Sequence, residues 1–314
     1  MILVGGPEAA ARTACHHLPR VRSWNCLSID VEEYFHCEAF AGTVRPQQWP
    51  QFERRAESRL ELIADLLERY ESRATFFVLG WLVPHLTRLL RELAARGHEI
   101  ACHGYGHQHL ARMTPAALAD DLRRAQDVIG NCLGVSPRGY RAPTFSVMRR
   151  TAWALDVIAA AGFEYDASIF PVRHDRYGVP GAPLTPFHAV GPSGTRVLEF
   201  PPLTMQCCGV RIPLGGGGYM RLLPGWALRA ALRSRMARGG PVMLYLHPWE
   251  LDSDQPELPA GRLGRWRHRV NLQTTAAKLE ALLKSFTFET AGDILRDYVS
   301  RRGELQQYSL AAPA

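Results

Sequence analysis

The stretch His98-Glu99-Ile100-Ala101-Cys102-His103-Gly104-Tyr105-Gly106-His107 is an apolar strand that ends in two histidines four residues apart. Neutral imidazoles suit zinc, cobalt, nickel or iron. The two glycines argue against a long helix here, so the pair is placed on a turn just after the strand. A histidine pair alone is common by chance. It becomes a metal site only if the chain supplies a carboxylate and catalytic partners elsewhere.

Working outward, Cys26-Leu27-Ser28-Ile29-Asp30-Val31 reads as a buried strand running into acidic residues, with Asp30, Glu32 and Glu33 at its end. Carboxylates there are costly unless paired or bound to metal. Glu53–Tyr70 is an amphipathic helix with Leu60, Ile63, Leu67 and Tyr70 on one stripe. A strand follows at Ala74–Leu79, then a helix from Pro84 to Arg96 stopped by Gly97. After the histidine pair, Thr114-Pro115 starts a helix reaching about Ile129. Tyr140-Arg141-Ala142-Pro143 is a short strand or loop, and a helix is expected over Val147–Ala161. This alternation predicts an α/β fold with a mostly parallel sheet and helices outside, able to close into a (β/α) barrel. In a barrel, catalytic groups sit at the C-terminal ends of strands.

The remainder is less regular. Residues 170–194 are rich in Pro and Gly and are expected to form a long surface excursion. Arg196–Phe200 reads as a strand and Pro224–Arg238 as a helix. Gly215-Gly216-Gly217-Gly218-Tyr219 lacks the Lys-Ser/Thr of a P-loop and reads as a flexible turn. Pro241–Leu246 is an apolar strand ending in His247-Pro248-Trp249-Glu250. A histidine at such a tip is a candidate acid or base. Residues 252–265 read as loop, Gln273–Leu283 as a helix, Phe286–Glu289 as a short strand and Ala291–Val299 as a final helix. One domain over residues 24–303 is expected, between an extension at 1–23 and a tail at 304–314.

The 314 residues carry a net charge of +7, with hydrophobic residues at 46%. That composition is ordinary for a globular protein. The basic residues show no nucleic-acid module, although an anionic polymer or a membrane surface remains open as a partner. Seven irregularly spaced cysteines argue for reduced thiols rather than a disulfide framework. No apolar run approaches the roughly 18 residues of a membrane-spanning helix. Met1–Gly6 has neither a basic segment nor an apolar core long enough for a signal peptide. The expectation is cytoplasmic work, or periplasmic work if the true start differs.

Asp30-x-Glu32, His103-x-x-x-His107, Arg141-x-Pro143 and Leu246-His247-Pro248-Trp249, in this order and at strand ends, resemble the polysaccharide deacetylases of carbohydrate esterase family four, the NodB homology group. The wording of the first and last motifs, Asp-Val-Glu-Glu-Tyr-Phe and His-Pro-Trp-Glu, is similar to a bacterial subfamily of exopolysaccharide and exosortase loci. That subfamily carries a C-terminal extension, here about 251–303. The resemblance implies a distorted (β/α) barrel and metal-dependent removal of acetyl from N-acetyl-hexosamine in an exopolysaccharide or its precursor.

It also implies roles. Glu32, His103 and His107 would hold a divalent metal, zinc first and cobalt second, with Glu33 the alternative ligand. Asp30 would be the general base, Arg141 would keep it ionised, and His247 would protonate the departing amine. Trp249, Tyr245 and Pro143 would contact substrate; Tyr245 stands where many members have a leucine lining the acetate pocket. Asp166 and Glu199 are candidates to orient His247. The implied partners are a carbohydrate polymer or lipid-linked saccharide and exopolysaccharide assembly machinery, with no nucleic acid and no integral membrane segment. The competing readings are a metal-dependent amidohydrolase of a small cyclic amide or imide, and a silent glycan-binding scaffold.

Overall fold

The computed structural model describes residues 23–311, so the extension expected at 1–23 lies, but for its last residue, outside the described residues. In chain order the elements are β1 (Asn25–Val31), α1 (Ala56–Arg69), β2 (Thr75–Val78), α2 (Val83–Ala95), β3 (Glu99–Cys102), α3 (Pro115–Leu133), β4 (Gly139–Tyr140), α4 (Ala154–Ala160) and β5 (Tyr165–Asp166). They continue as β6 (Phe187–Val190), β7 (Arg196–Glu199), β8 (Thr204–Cys207), β9 (Val210–Pro213), α5 (Gly217–Leu222), α6 (Gly225–Ala237) and β10 (Val242–Leu246). The chain ends with α7 (Arg262–Arg269), α8 (Thr275–Ser285), α9 (Ala291–Arg302) and β11 (Gln307–Ser309).

The main sheet runs β10-β1-β2-β3-β4-β5-β7-β6-β11. It is parallel from β10 to β7, and β6 pairs antiparallel with β7. The segment after β7 then returns to the opposite edge. Leu203 N donates to Met243 O at 2.9 Å, and Tyr245 N donates to Gly215 O at 2.7 Å. These bonds to β10 close the sheet into an irregular (β/α) barrel, as the strand-helix rhythm predicts.

Alternation along the strands sorts the two cores. Leu27, Ile29 and Val31 of β1 join the large layer between strands and helices, with Leu60, Ile63 and Leu67 of α1. Cys26, Phe77, Ala101, Tyr165 and Met243 pack in the barrel interior instead. Ile294 and Leu295 of α9 belong to that inner cluster. Thr75 Oγ1 accepts from Ala291 N at 2.7 Å, so the start of α9 plugs the end of the barrel where strands begin. The other end is left for the site.

Helix ends follow their local signals. Thr114 Oγ1 accepts from Ala117 N at 3.2 Å, Pro115 takes the first turn, and Gly134 at φ 71° ends α3.

Several expectations are corrected. Residues 170–194 are not all loop, since β6 pairs with β7 there. The tail expected from 304 instead contributes β11, which pairs parallel with β6. The expected helix at Val147 starts at Ala154 because a 3-10 turn at Arg149–Thr151 intervenes. Residues 252–265 include the start of α7. Phe286–Glu289 provides a single bridge, Cys26 to Glu289. The glycine run is no flexible turn: a Cβ on Gly216 would lie 1.7 Å from Tyr245 O, so the run presses on β10 and leads directly into α5. Among the described residues no helix is long and apolar enough to cross a membrane.

Candidate active site

Four parallel strands deliver the site. Val31 ends β1 beside Glu32, Cys102 ends β3 beside His103, Tyr140 ends β4 beside Arg141, and Leu246 ends β10 beside His247. Asp30 lies one step inside β1 and faces the barrel interior, on the same side as Ser28.

Glu32 Oε1 lies 3.1 Å from His103 Nε2 and 2.9 Å from His107 Nε2. One donor atom from each of the three residues falls within 4.8 Å of the others, and all three side chains are at most 5% exposed. His103 Nδ1 lies 2.7 Å from Arg141 O, so Nδ1 carries the proton and Nε2 faces Glu32 with its lone pair. A carboxylate and two imidazoles so arranged fit a divalent transition metal with open positions. Burial raises the Glu32 carboxyl, but His107 and His247 outweigh it and hold it well below its usual range.

The loop that presents His107 is held by Asp121, which accepts from Tyr105 N at 2.7 Å and Gly106 N at 3.0 Å. Gly104 is required there: its φ is 74°, and a Cβ would meet Asp121 Oδ2 at 2.8 Å. Glu33 is not a ligand. Its carboxylate accepts from Arg55 N at 3.0 and 2.9 Å and from Ala56 N at 3.0 Å, at the start of α1. The Asp30-x-Glu32 pair is therefore the one that shares the site.

Arg141 is fully buried. Its Nη1 donates to Asp30 Oδ1 at 2.5 Å and to Ser28 Oγ at 2.9 Å, and its Nε donates to Ala167 O at 3.1 Å. The guanidinium rests 4.1 Å from the centre of the Phe77 ring. This ion pair leaves Asp30 Oδ2 toward His247, whose Nε2 is 3.8 Å away and also 3.8 Å from Glu32 Oε1.

Asp166 and Glu199 do not orient His247. They are register partners on β5 and β7. Ser168 Oγ donates to Asp166 Oδ1 at 2.5 Å, and Ile169 N donates to Glu199 Oε1 at 2.9 Å. Burial and the Asp166 charge raise the Glu199 carboxyl well above its usual range, so it carries the proton of the pair.

The residue that orients His247 is Glu250. Its Oε1 lies 2.7 Å from His247 Nδ1, and its Oε2 accepts from Arg221 Nε at 2.7 Å. Arg221 is 2% exposed and donates onward to the carbonyls of Arg267, His268 and Val270. The glycine-run helix α5 thus ties the C-terminal segment to the active histidine. Glu250 was accessible to sequence reasoning as the third residue after His247 on a turn. Arg221 carried no sequence signal.

A cavity of about 340 Å³ opens over these groups, lined by Asp30, Glu32, His107, His247 and Tyr245 among others. Thr144 and Phe145 also line it, both in the left-handed region at φ 58° and 50°. Such a bend in a β-branched residue is uncommon and is held by its surroundings. Pro143 itself is buried and does not line the cavity. Trp249 does line it, but its ring is 6% exposed and stacks with His247 at 5.0 Å and His268 at 4.4 Å. The imidazoles take the faces expected for a sugar. Trp266 is the exposed aromatic at the mouth.

The fold and site define a distorted (β/α) barrel with a Glu-His-His donor set and an Asp-Arg pair at strand ends. Residues 49–165 match the polysaccharide deacetylase family, and residues 167–296 match a domain of unknown function, DUF3473. A chitooligosaccharide deacetylase from Bradyrhizobium sp. (strain ANU 289) is 35% identical over 100 residues, 32% of this chain and 43% of that protein. A peptidoglycan deacetylase from Helicobacter pylori is 29% identical over 104 residues, 33% of this chain and 34% of that protein. The matched segment is thus less than half the length of either relative. The polysaccharide deacetylase match is confined to residues 49–165, the part of the barrel that carries the histidine pair and Arg141.

Two solved structures share the fold. One is from a Mycobacterium smegmatis protein assigned to the polysaccharide deacetylases, with TM-score 0.60, 19% identity, and 92% of this chain and 94% of that chain covered. The other is Puue allantoinase, with TM-score 0.56, 16% identity, and 88% and 90% covered.

Proposed function

We propose that this protein is a metal-dependent deacetylase that removes acetyl from N-acetyl-hexosamine units of a bacterial polysaccharide or its precursor. The observation that carries the reading is the convergence of Asp30, Glu32, His103, His107 and His247 at one barrel mouth, with Arg141 fixing Asp30. The relatives named as deacetylases support it.

A divalent cation held by Glu32, His103 and His107 would polarise an amide carbonyl and acidify a water. Asp30 Oδ2 is placed to take the proton of the attacking water, while the bond from Arg141 Nη1 to Oδ1 fixes the carboxylate in position. His247 is placed to give a proton to the departing amine through Nε2, because Glu250 fixes Nδ1. Burial lowers this imidazole, but the carboxylates of Glu32, Glu250 and Asp30 outweigh it and raise it, and Glu250 acts on it through a direct bond to Nδ1. Tyr245 packs against Phe145 at 4.7 Å on the cavity wall, which suits a small acyl group.

The polymer reading is preferred over a small cyclic amide because the cavity continues past the reacting groups to Tyr177, Tyr219 and Trp266. An exopolysaccharide fits as the polymer. The test is formation of free amine on N-acetylglucosamine oligomers with added zinc or cobalt, run beside a cyclic amide such as allantoin. Amine formation on the oligomers alone supports the reading. Turnover of the cyclic amide alone overturns it.

A further inference from the structure

The rim of the cavity carries an apolar face that the chemistry does not use. On α7, Leu263 and Trp266 are 58% and 53% exposed and lie three residues apart, hence on one face. Leu222, at the end of α5, is 44% exposed and lines the same cavity mouth as Trp266. Trp226, in the first turn of α6, is 68% exposed. Arg221 binds the α7 carbonyls, so the end of α5 and α7 are held as one surface.

Basic residues outnumber acidic ones on this face. The helix α7 reads Arg-Leu-Gly-Arg-Trp-Arg-His-Arg and has no acidic residue of its own. Arg267 and Arg269 are paired with Asp175 and Glu257. Arg262 and Arg265 are exposed, and among the described residues no carboxylate pairs with them. Exposed Trp and Leu interleaved with unpaired Arg suit the interface of an anionic bilayer, where apolar side chains enter the acyl boundary and guanidinium groups meet lipid phosphates. A glycan subsite would use the indoles, but Leu263 and Leu222 offer a sugar neither a ring face nor a hydrogen bond.

We propose that α7 and the α5–α6 turn dock the protein on an anionic membrane surface, with the cavity mouth beside the bilayer. The docking needs no substrate, so it stands or falls separately from the deacetylase reading.

The test is co-sedimentation of the purified full chain with vesicles of phosphatidylcholine alone and of phosphatidylcholine with phosphatidylglycerol. Binding to the anionic vesicles is expected, weakened by salt. The surface variants Leu263→Glu with Trp226→Glu, and separately Arg262→Glu with Arg265→Glu, should each lower the bound fraction at least tenfold. Their far-ultraviolet circular dichroism and melting should match the parent. No binding to anionic vesicles at low salt, or equal binding by either folded variant, would overturn the proposal. So would an absence of vesicle binding accompanied by a raised KM for soluble oligomers in the Leu263/Trp226 variant, which would make the face a glycan subsite.

Discussion

His247 and Glu250 face each other across 2.7 Å, and Glu250 is itself held by Arg221 at 2.7 Å with no solvent contact. The carboxylate raises the imidazole and aims Nε2 into the cleft between Asp30 and Glu32. Glu250→Gln removes that charge, so the His247 pKa falls and the acid form is lost at lower pH. The alkaline limb of the kcat profile should move down, and kcat at pH 8 should fall about 10–100-fold with KM nearly unchanged. An unmoved limb would assign the proton to another group.

Arg221 is expected to matter for both stability and rate. Arg221→Met leaves Glu250 buried without its cation and frees three carbonyl partners of the C-terminal segment. Breaking one side of a buried ion pair costs roughly 3–5 kcal/mol. Urea denaturation should report a loss of that order. The Arg221→Met, Glu250→Gln double variant should lose less than the two single losses added together.

The two neighbouring glutamates should separate cleanly. Glu32→Gln should abolish stoichiometric zinc binding measured by elemental analysis. Glu33→Gln should keep the zinc and instead lower stability by about 1 kcal/mol, because its carboxylate caps the start of α1. Zinc lost equally from both variants would contradict the ligand assignment.

Acid stability should depend on His98, far from the site. Its Nδ1 accepts from Ala74 N at 3.2 Å, a bond only the neutral ring can make. Burial, then Arg96 and Arg73, lower its pKa from 6.5 to about 4. The depressed value means its contribution is fully present above pH 6.5 and is lost as pH falls through 4. Unfolding free energy should decline across that window by an amount on the order of 3 kcal/mol. The slope should shrink in His98→Gln.

The sheet and the reacting groups were legible because both are local patterns. The β1 alternation, the glycines around His103 and His107, and His247 at the tip of an apolar strand each sit within ten residues of sequence. What escaped depends on contacts between distant residues. Arg221 meets Glu250 and the carbonyls near residue 268 only after the barrel closes. The strand β11 exists because β6 offers it an edge, and neither has a strong pattern of its own. The glycine run looked flexible because nothing in it announces the carbonyl of Tyr245 against which Gly216 packs. Trp249 looked like a free sugar platform until His247 and His268 stacked on it.

The central claim is that Asp30, fixed by Arg141, drives hydrolysis of an N-acetyl group beside a metal on Glu32, His103 and His107. Acetate release from N-acetylglucosamine oligomers, followed with and without zinc or cobalt in the parent and in Asp30→Asn, tests it most directly. The account predicts release that requires the metal and falls at least 100-fold in Asp30→Asn, whose metal content stays intact. Release that persists in Asp30→Asn, or no release from protein carrying a full complement of metal, would contradict it.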